Sequence, residues 1–143
     1  MRQRKVLTGL LTAFAMVLMS LAGSFTASAV DAPNANRMNV VFVMDESGSM
    51  SKTDAFSLRY DAMDLFLGLA TESGNYMGAV AFDDDVILQR DITSIEGLND
   101  KTALSQEVRR VSSRGDTNIG KAIETATQML QNSGNQDLPS AII

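Results

Sequence analysis

Asp45, Ser47 and Ser49 stand at alternate positions in Asp45-Glu46-Ser47-Gly48-Ser49, directly behind the apolar run Val40-Val41-Phe42-Val43-Met44. One carboxylate and two hydroxyls, with a glycine among them, put several small oxygen ligands on one tight loop. Hard divalent cations such as Mg2+ take oxygen donors of this kind. A second stretch, Gly115-Asp116-Thr117-Asn118-Ile119-Gly120, adds another hydroxyl, Thr117, in a loop at the amino end of a predicted helix. Open α/β sheets hold their ligands in loops at the carboxyl ends of the strands, so the two loops are expected to converge on one cation. The 143 residues include no histidine and no cysteine. Zinc and other soft-ligand metal sites are thereby excluded, and any metal must be held by oxygen. The same absence leaves no nucleophile–base pair for covalent catalysis, since no lysine stands in a convincing place.

The elements that must position these residues follow from hydrophobic patterning. Met38 to Met44 is apolar almost without alternation, as expected of a strand covered on both faces. Thr53 or Asp54 can cap a helix running to about Thr71, with Leu58, Ala62, Leu65, Phe66 and Leu69 as its apolar stripe. Glu72-Ser73-Gly74-Asn75 ends that helix, and Tyr76 to Phe82 is a second buried strand. Asp83-Asp84-Asp85 reads as a solvated polar turn into Val86-Ile87-Leu88, which suggests a hairpin with an antiparallel edge strand. Leu98 to Val111 has Leu104, Val108 and Val111 at helical spacing. A further helix starts at Thr117 or Asn118, presents Ile119, Ala122, Ile123, Ala126 and Leu130 on one face, and ends at Gly134. Ser140-Ala141-Ile142-Ile143 opens another buried strand. Phe56, Phe66, Met63 and Met77 are assigned to the core. The order β-α-β-β-α-α-β predicts an α/β fold: a doubly wound, mostly parallel sheet with helices on both faces.

The amino end is of another kind. A basic cluster, Arg2, Arg4 and Lys5, precedes an apolar stretch from Val6 to about Ala22 and then Ala27-Ser28-Ala29, the pattern of a secretory signal peptide cleaved after Ala29. The stretch is shorter than the roughly 20 residues a spanning helix needs, so no membrane span is expected in the mature chain. Residues 30–37 form a short polar linker containing Pro33. Beyond residue 29 there are 114 residues, with nine basic against 17 acidic side chains, a net charge of −8. That balance argues against nucleic acid or an anionic membrane as partner. Export without cysteine means no disulfide support, so the domain must rely on its core.

With these residues in place the chain resembles a von Willebrand factor type A (VWA) domain carrying a metal-ion-dependent adhesion site (MIDAS). That family's pattern is Asp-x-Ser-x-Ser after the first strand, a threonine in a second loop and an aspartate in a third. Asp45, Ser47 and Ser49 match the first element, and Thr117 within Thr-Asn-Ile-Gly matches the second. Val80-Ala81-Phe82-Asp83 fits the second strand and its exit. The resemblance implies a Rossmann-like sheet over residues 38–143. Ser47, Ser49 and Thr117 would offer hydroxyls to Mg2+, or to another divalent cation such as Mn2+ or Ca2+, directly or through water. Asp45 would accept from a metal-bound water or from neighbouring hydroxyls. A protein ligand would complete the shell with its own Asp or Glu carboxylate, which a site with few protein charges favours. The third-loop aspartate, usual in Thr/Ser-Asp-Gly, would follow the strand that Ser140 opens. The chain is therefore expected to be the N-terminal part of such a domain, incomplete at its C-terminus, and to bind Mg2+ weakly or not at all by itself. The implied role is a non-catalytic adhesion or interaction module, secreted or at the outer face of the cell envelope, of bacterial type.

Competing readings are narrower. Ser49-x-x-Lys52 spells the first element of exported penicillin-binding acyl-enzymes, but the later Ser-Asp-Asn and Lys-Thr-Gly elements are missing. Arg114-Gly115-Asp116 is a three-residue coincidence in a loop that Thr117 already explains. Asp83-Asp84-Asp85 lacks the alternating spacing of calcium loops. A metal-free structural domain is the remaining alternative.

Overall fold

The computed structural model describes residues 37–71, 73–112 and 115–143. The signal-peptide reading of residues 1–29 and nearly all of the linker lie outside the described residues, as do Glu72, Ser113 and Arg114. β1 (Asn39–Asp45) is followed by a single helical turn, α1 (Met50–Thr53), and by α2 (Leu58–Leu69). β2 (Asn75–Phe82) and β3 (Val86–Ile95) come next, then α3 (Leu98–Arg109), α4 (Ile119–Asn132) and β4 (Ser140–Ile142).

The four strands lie in the order β3-β2-β1-β4. β1 pairs in parallel with β2, from Asn39↔Tyr76 to Asp45↔Phe82, and in parallel with β4, from Asn39↔Ser140 to Val41↔Ile142. β3 runs antiparallel to β2 at the edge. This is the mixed, mostly parallel sheet expected from the sequence. The chain leaves β1 toward β2 on one side and returns as β4 on the other, so strand order reverses at β1. Such a reversal is where open sheets form a crevice at the strand carboxyl ends.

Alternate residues of the central strand feed two cores. On one face Val40, Phe42 and Met44 pack with Met77, Ala79 and Ala81 beneath Tyr60, Met63 and Leu67 of α2 and Leu104 and Val108 of α3. On the other, Val41, Val80 and Phe82 meet Ala122, Ala126 and Met129 of α4. Helices thus cover both faces, which is why β1 and β2 read as unbroken apolar runs.

Four details depart from the sequence reading. The expected helix from Thr53 breaks at residues 54–57, where Ser57 adopts a left-handed conformation (φ 58°). Asp54 still caps α2, accepting from the amides of Leu58 at 2.7 Å and Arg59 at 3.2 Å. Second, α2 buries Tyr60, Met63 and Leu67, whereas Leu58, Leu65 and Leu69 of the expected stripe are 60–79% exposed, and Phe56 is exposed as well. The helix is apolar on two sides, so periodicity alone cannot choose between them. The Tyr60 hydroxyl, bound to Glu46 at 2.6 Å, sets the rotation. Third, α4 buries Ala122 and Ala126 as expected, but Met129 joins them while Ile119 and Ile123 are exposed. Gly78 of β2 makes room for Met129: a Cβ there would lie 3.0 Å from the Met129 methyl and 2.6 Å from the Arg90 carbonyl. β3 also runs to ten residues rather than three, because its alternating Gln89, Asp91 and Thr93 need only one covered face.

Candidate metal centre

Asp45 is the last residue of β1, and its Oδ1 accepts from the Ser47 amide at 2.8 Å. This short loop bond turns the chain out of the strand. Ser47 is buried and Ser49 exposed, and their Oγ atoms lie 3.1 Å apart. Ser49 is also the N-cap of α1, where its carbonyl accepts from the amides of Lys52 and Thr53. The hydroxyl spacing bears on cation size. At the 2.0–2.1 Å bonds of octahedral Mg2+, adjacent ligand oxygens sit about 3 Å apart, against roughly 3.3–3.7 Å at the 2.3–2.6 Å bonds of Ca2+. The Ser47/Ser49 pair, held at 3.1 Å by its own hydrogen bond, falls between these spacings and selects neither ion, while its neutral oxygen donors suit a hard cation.

The second loop lies against the first. The Gly48 amide donates to the Gly115 carbonyl at 3.0 Å. Gly115 has φ +58°, and a Cβ on it would come within 2.5 Å of Asp84 Oδ1. Both facts favour glycine. Beyond it, the Asn118 amide donates to the Asp83 carbonyl at 2.6 Å and its Nδ2 to the Asp84 carbonyl at 3.3 Å. The Asn118 side chain also caps α4 by accepting from the Lys121 amide. Thr117 lies exposed between these anchors, and its hydroxyl has no hydrogen-bond partner among the described residues. Hence Asp45, Ser47 and Ser49 are joined directly, while Thr117 is linked to them through its loop, two residues from the Gly48–Gly115 bond.

Lys52 is exposed, and the side-chain partner of Ser49 is Ser47, an arrangement unlike a serine–lysine dyad. The Asp83-Asp84-Asp85 turn is present, but Asp83 is 95% buried rather than solvated. Asp84 and Asp85 are exposed. A hydrogen bond with Asp83, reinforced by the charges of Asp83 and Asp116, holds the Asp84 carboxyl above its ordinary value. Lys121, paired with Asp85 at 2.5 Å, lowers that carboxyl instead. Among the described residues no group of three or more acidic side chains is gathered closely enough to hold a metal ion.

Sequence reasoning missed Glu46. The carboxylate inside the motif is fully buried. It takes Arg59 at both oxygens, Nε to Oε1 at 3.2 Å and Nη2 to Oε2 at 2.9 Å, as well as the Tyr60 hydroxyl. Desolvating such a carboxylate costs several kcal/mol unless its lone pairs are filled, as they are here. Arg59 also reaches Asp54 at 2.8 Å. Burial opposes its charge, but the Glu46 and Asp54 carboxylates outweigh that and hold the guanidinium above its ordinary value. The Tyr60 hydroxyl is pushed up to about 12 by burial and by Glu46. The available signal was alternation: if Asp45 and Ser47 face the crevice, the residue between them faces the interior.

Residues 40–143 match the von Willebrand factor type A domain family. Calcium-activated chloride channel regulator 1 of Equus caballus is 33% identical over 92 residues, covering 64% of this chain and 10% of that protein. The chain thus spans about a tenth of the length of the curated relatives it matches. Among solved structures, proximal thread matrix protein 1 from the mussel byssus has a TM-score of 0.61 at 18% identity, covering 76% of this chain and 28% of that one. The same mussel protein is known with a zinc-occupied MIDAS motif, so exclusion of zinc for want of histidine and cysteine does not extend to every site of this fold. The vWF domain of the type V pili tip protein Mfa5 from Porphyromonas gingivalis has a TM-score of 0.55 at 23% identity, covering 68% of this chain and 34% of that one. These likenesses carry the fold, and the match over residues 40–143 carries the family: the chain belongs to the von Willebrand factor type A domains.

Proposed function

We propose that this chain is a divalent-cation-dependent protein-binding module, non-catalytic, working at the cell surface or outside the cell. Domains of this family are typically protein-interaction modules. The observation that carries the metal reading is the Ser47/Ser49 hydroxyl pair at 3.1 Å, with the Thr117 loop bonded onto it through Gly48 and Gly115. Ser47, Ser49 and Thr117 would hold Mg2+, or another divalent cation such as Mn2+ or Ca2+, and Asp45 would orient them. A cation bound there supplies an electrophilic position that a partner's Asp or Glu carboxylate fills. With three neutral hydroxyls as donors and one carboxylate behind them, the affinity of residues 1–143 for the cation would be weak, since ligand charge sets affinity. The extracellular setting is supported by the leader-like residues 1–29 and by the pilus-tip and byssus proteins that share the fold. Among the described residues no helix is long and apolar enough to cross a membrane.

Mn2+ titration followed by amide line broadening tests this reading. Broadening should centre on Ser47, Ser49, Gly115 and Thr117, and should vanish in Ser47→Ala/Thr117→Ala. Acetate, standing in for the partner's carboxylate, should then lower the water-proton relaxation enhancement by displacing metal-bound water. Broadening that survives the double substitution, or that centres on Asp84 and Asp85, would overturn the assignment.

A further inference from the structure

We infer that Glu46 is a positioning residue for the cation site: its buried ion pair with Arg59 fixes the Ser47 and Ser49 hydroxyls by locking their loop to the amino end of α2. The inference rests on the reading of Asp45, Ser47, Ser49 and Thr117 as a metal centre. Glu46 lies between two of those residues, and its amide extends the β1–β2 ladder by donating to the Phe82 carbonyl at 2.8 Å. Its side chain is fully buried. In the interior it meets Arg59 at two oxygens and the Tyr60 hydroxyl at 2.6 Å. Arg59 binds Asp54 with its remaining nitrogen, and Asp54 caps the first amides of α2. Two guanidinium groups also lie over the Tyr60 ring, Arg59 4.4 Å and Arg109 5.0 Å from its centroid.

One carboxylate therefore joins three things: the end of β1, the turn at residues 54–57, and the face that α2 turns to the core. A buried ion pair contributes little stability beyond a well-packed apolar pair of the same volume, and its best-attested use is to fix one arrangement among several. The arrangement fixed here is the loop carrying two of the cation's hydroxyl donors. Groups that orient metal ligands from behind typically change affinity 10–100-fold when removed.

The test compares Mn2+ affinity, from amide broadening, with melting temperature in EDTA for the full 143-residue chain, Glu46→Gln, and Glu46→Met/Arg59→Met. The double substitution keeps apolar volume and discards the charge lock. Both variants are expected to fold and to bind Mn2+ at least roughly 10-fold more weakly, whatever their melting temperatures. Wild-type affinity in either folded variant would overturn the inference while leaving the metal centre intact. Failure of both variants to fold would make Glu46 an element of stability alone and would equally overturn it. Absence of site-specific broadening in the unsubstituted chain would instead remove the metal centre on which the inference stands.

Discussion

Around the crevice, single side chains are tuned by their charged neighbours, and Asp84 shows the sign of the effect. Its carboxyl is raised above 3.8, first by the hydrogen bond to Asp83 and then by neighbouring charge, including that of Asp116. A carboxyl raised in the folded state favours folding below its unfolded value and opposes it once pH climbs through the folded value. At neutral pH the ionised Asp84 therefore opposes folding of the metal-free chain. Asp84→Asn should raise the melting temperature at pH 7 in EDTA, with the gain closing as pH falls below 3.8. Calorimetric scans across that range check it, and an equal gain at pH 3 and pH 7 would refute the charge explanation. Asp54 runs the other way. The hydrogen bond to Arg59 lowers its carboxyl, so its contribution is present at neutral pH and is lost in acid.

At the scale of the element, α2 decides how the site is braced. Two apolar stripes compete on this helix, and the tether through Glu46, Arg59 and Tyr60 turns one of them inward. Met63, 3% exposed, lies under the sheet, and Leu65, 65% exposed, faces out. Met63→Ala should cost about 2–5 kcal/mol, whereas Leu65→Ala should stay within about 0.5 kcal/mol. Urea unfolding measures both, and equal losses would mean that the helix is rotated from its described position. At the far end of the helix, Lys101 of α3 donates to the Ala70 carbonyl at 2.7 Å. That bond satisfies one of the carbonyls a helix terminus leaves open, so α2 is fixed at both ends by long-range contacts.

For the molecule as a whole, β1 is the axis. It is flanked by β2 and β4 and covered by α2 and α3 on one face and α4 on the other. Amides so enclosed open only in near-global unfolding. Hydrogen exchange should therefore show the interior amides of β1 and β2 as the slowest, while edge strand β3 and exposed Thr117 exchange early. Comparable protection in β1 and β3 would contradict this arrangement. Asp45, which opens the proposed metal loop, is thus the last residue of the most enclosed strand.

The sequence by itself determined the fold class, because uninterrupted apolar strands alternating with amphipathic segments have few solutions other than a covered, mostly parallel sheet. It also limited any metal ligands to oxygen and gave the order of the candidate residues along the chain, since residue chemistry and spacing are local properties. Only the tertiary structure decided the rest. The side that α2 buries, the exposure of Phe56, Ile119 and Ile123, and the burial of Asp83 all depend on partners far away in sequence. Glu46 shows why: Arg59 and Tyr60, which fill its lone pairs, are 13 and 14 residues distant. The meeting of Gly48 with Gly115 spans a still longer gap, which periodicity cannot see and which the parallel pairing of β1 with its neighbours brings about.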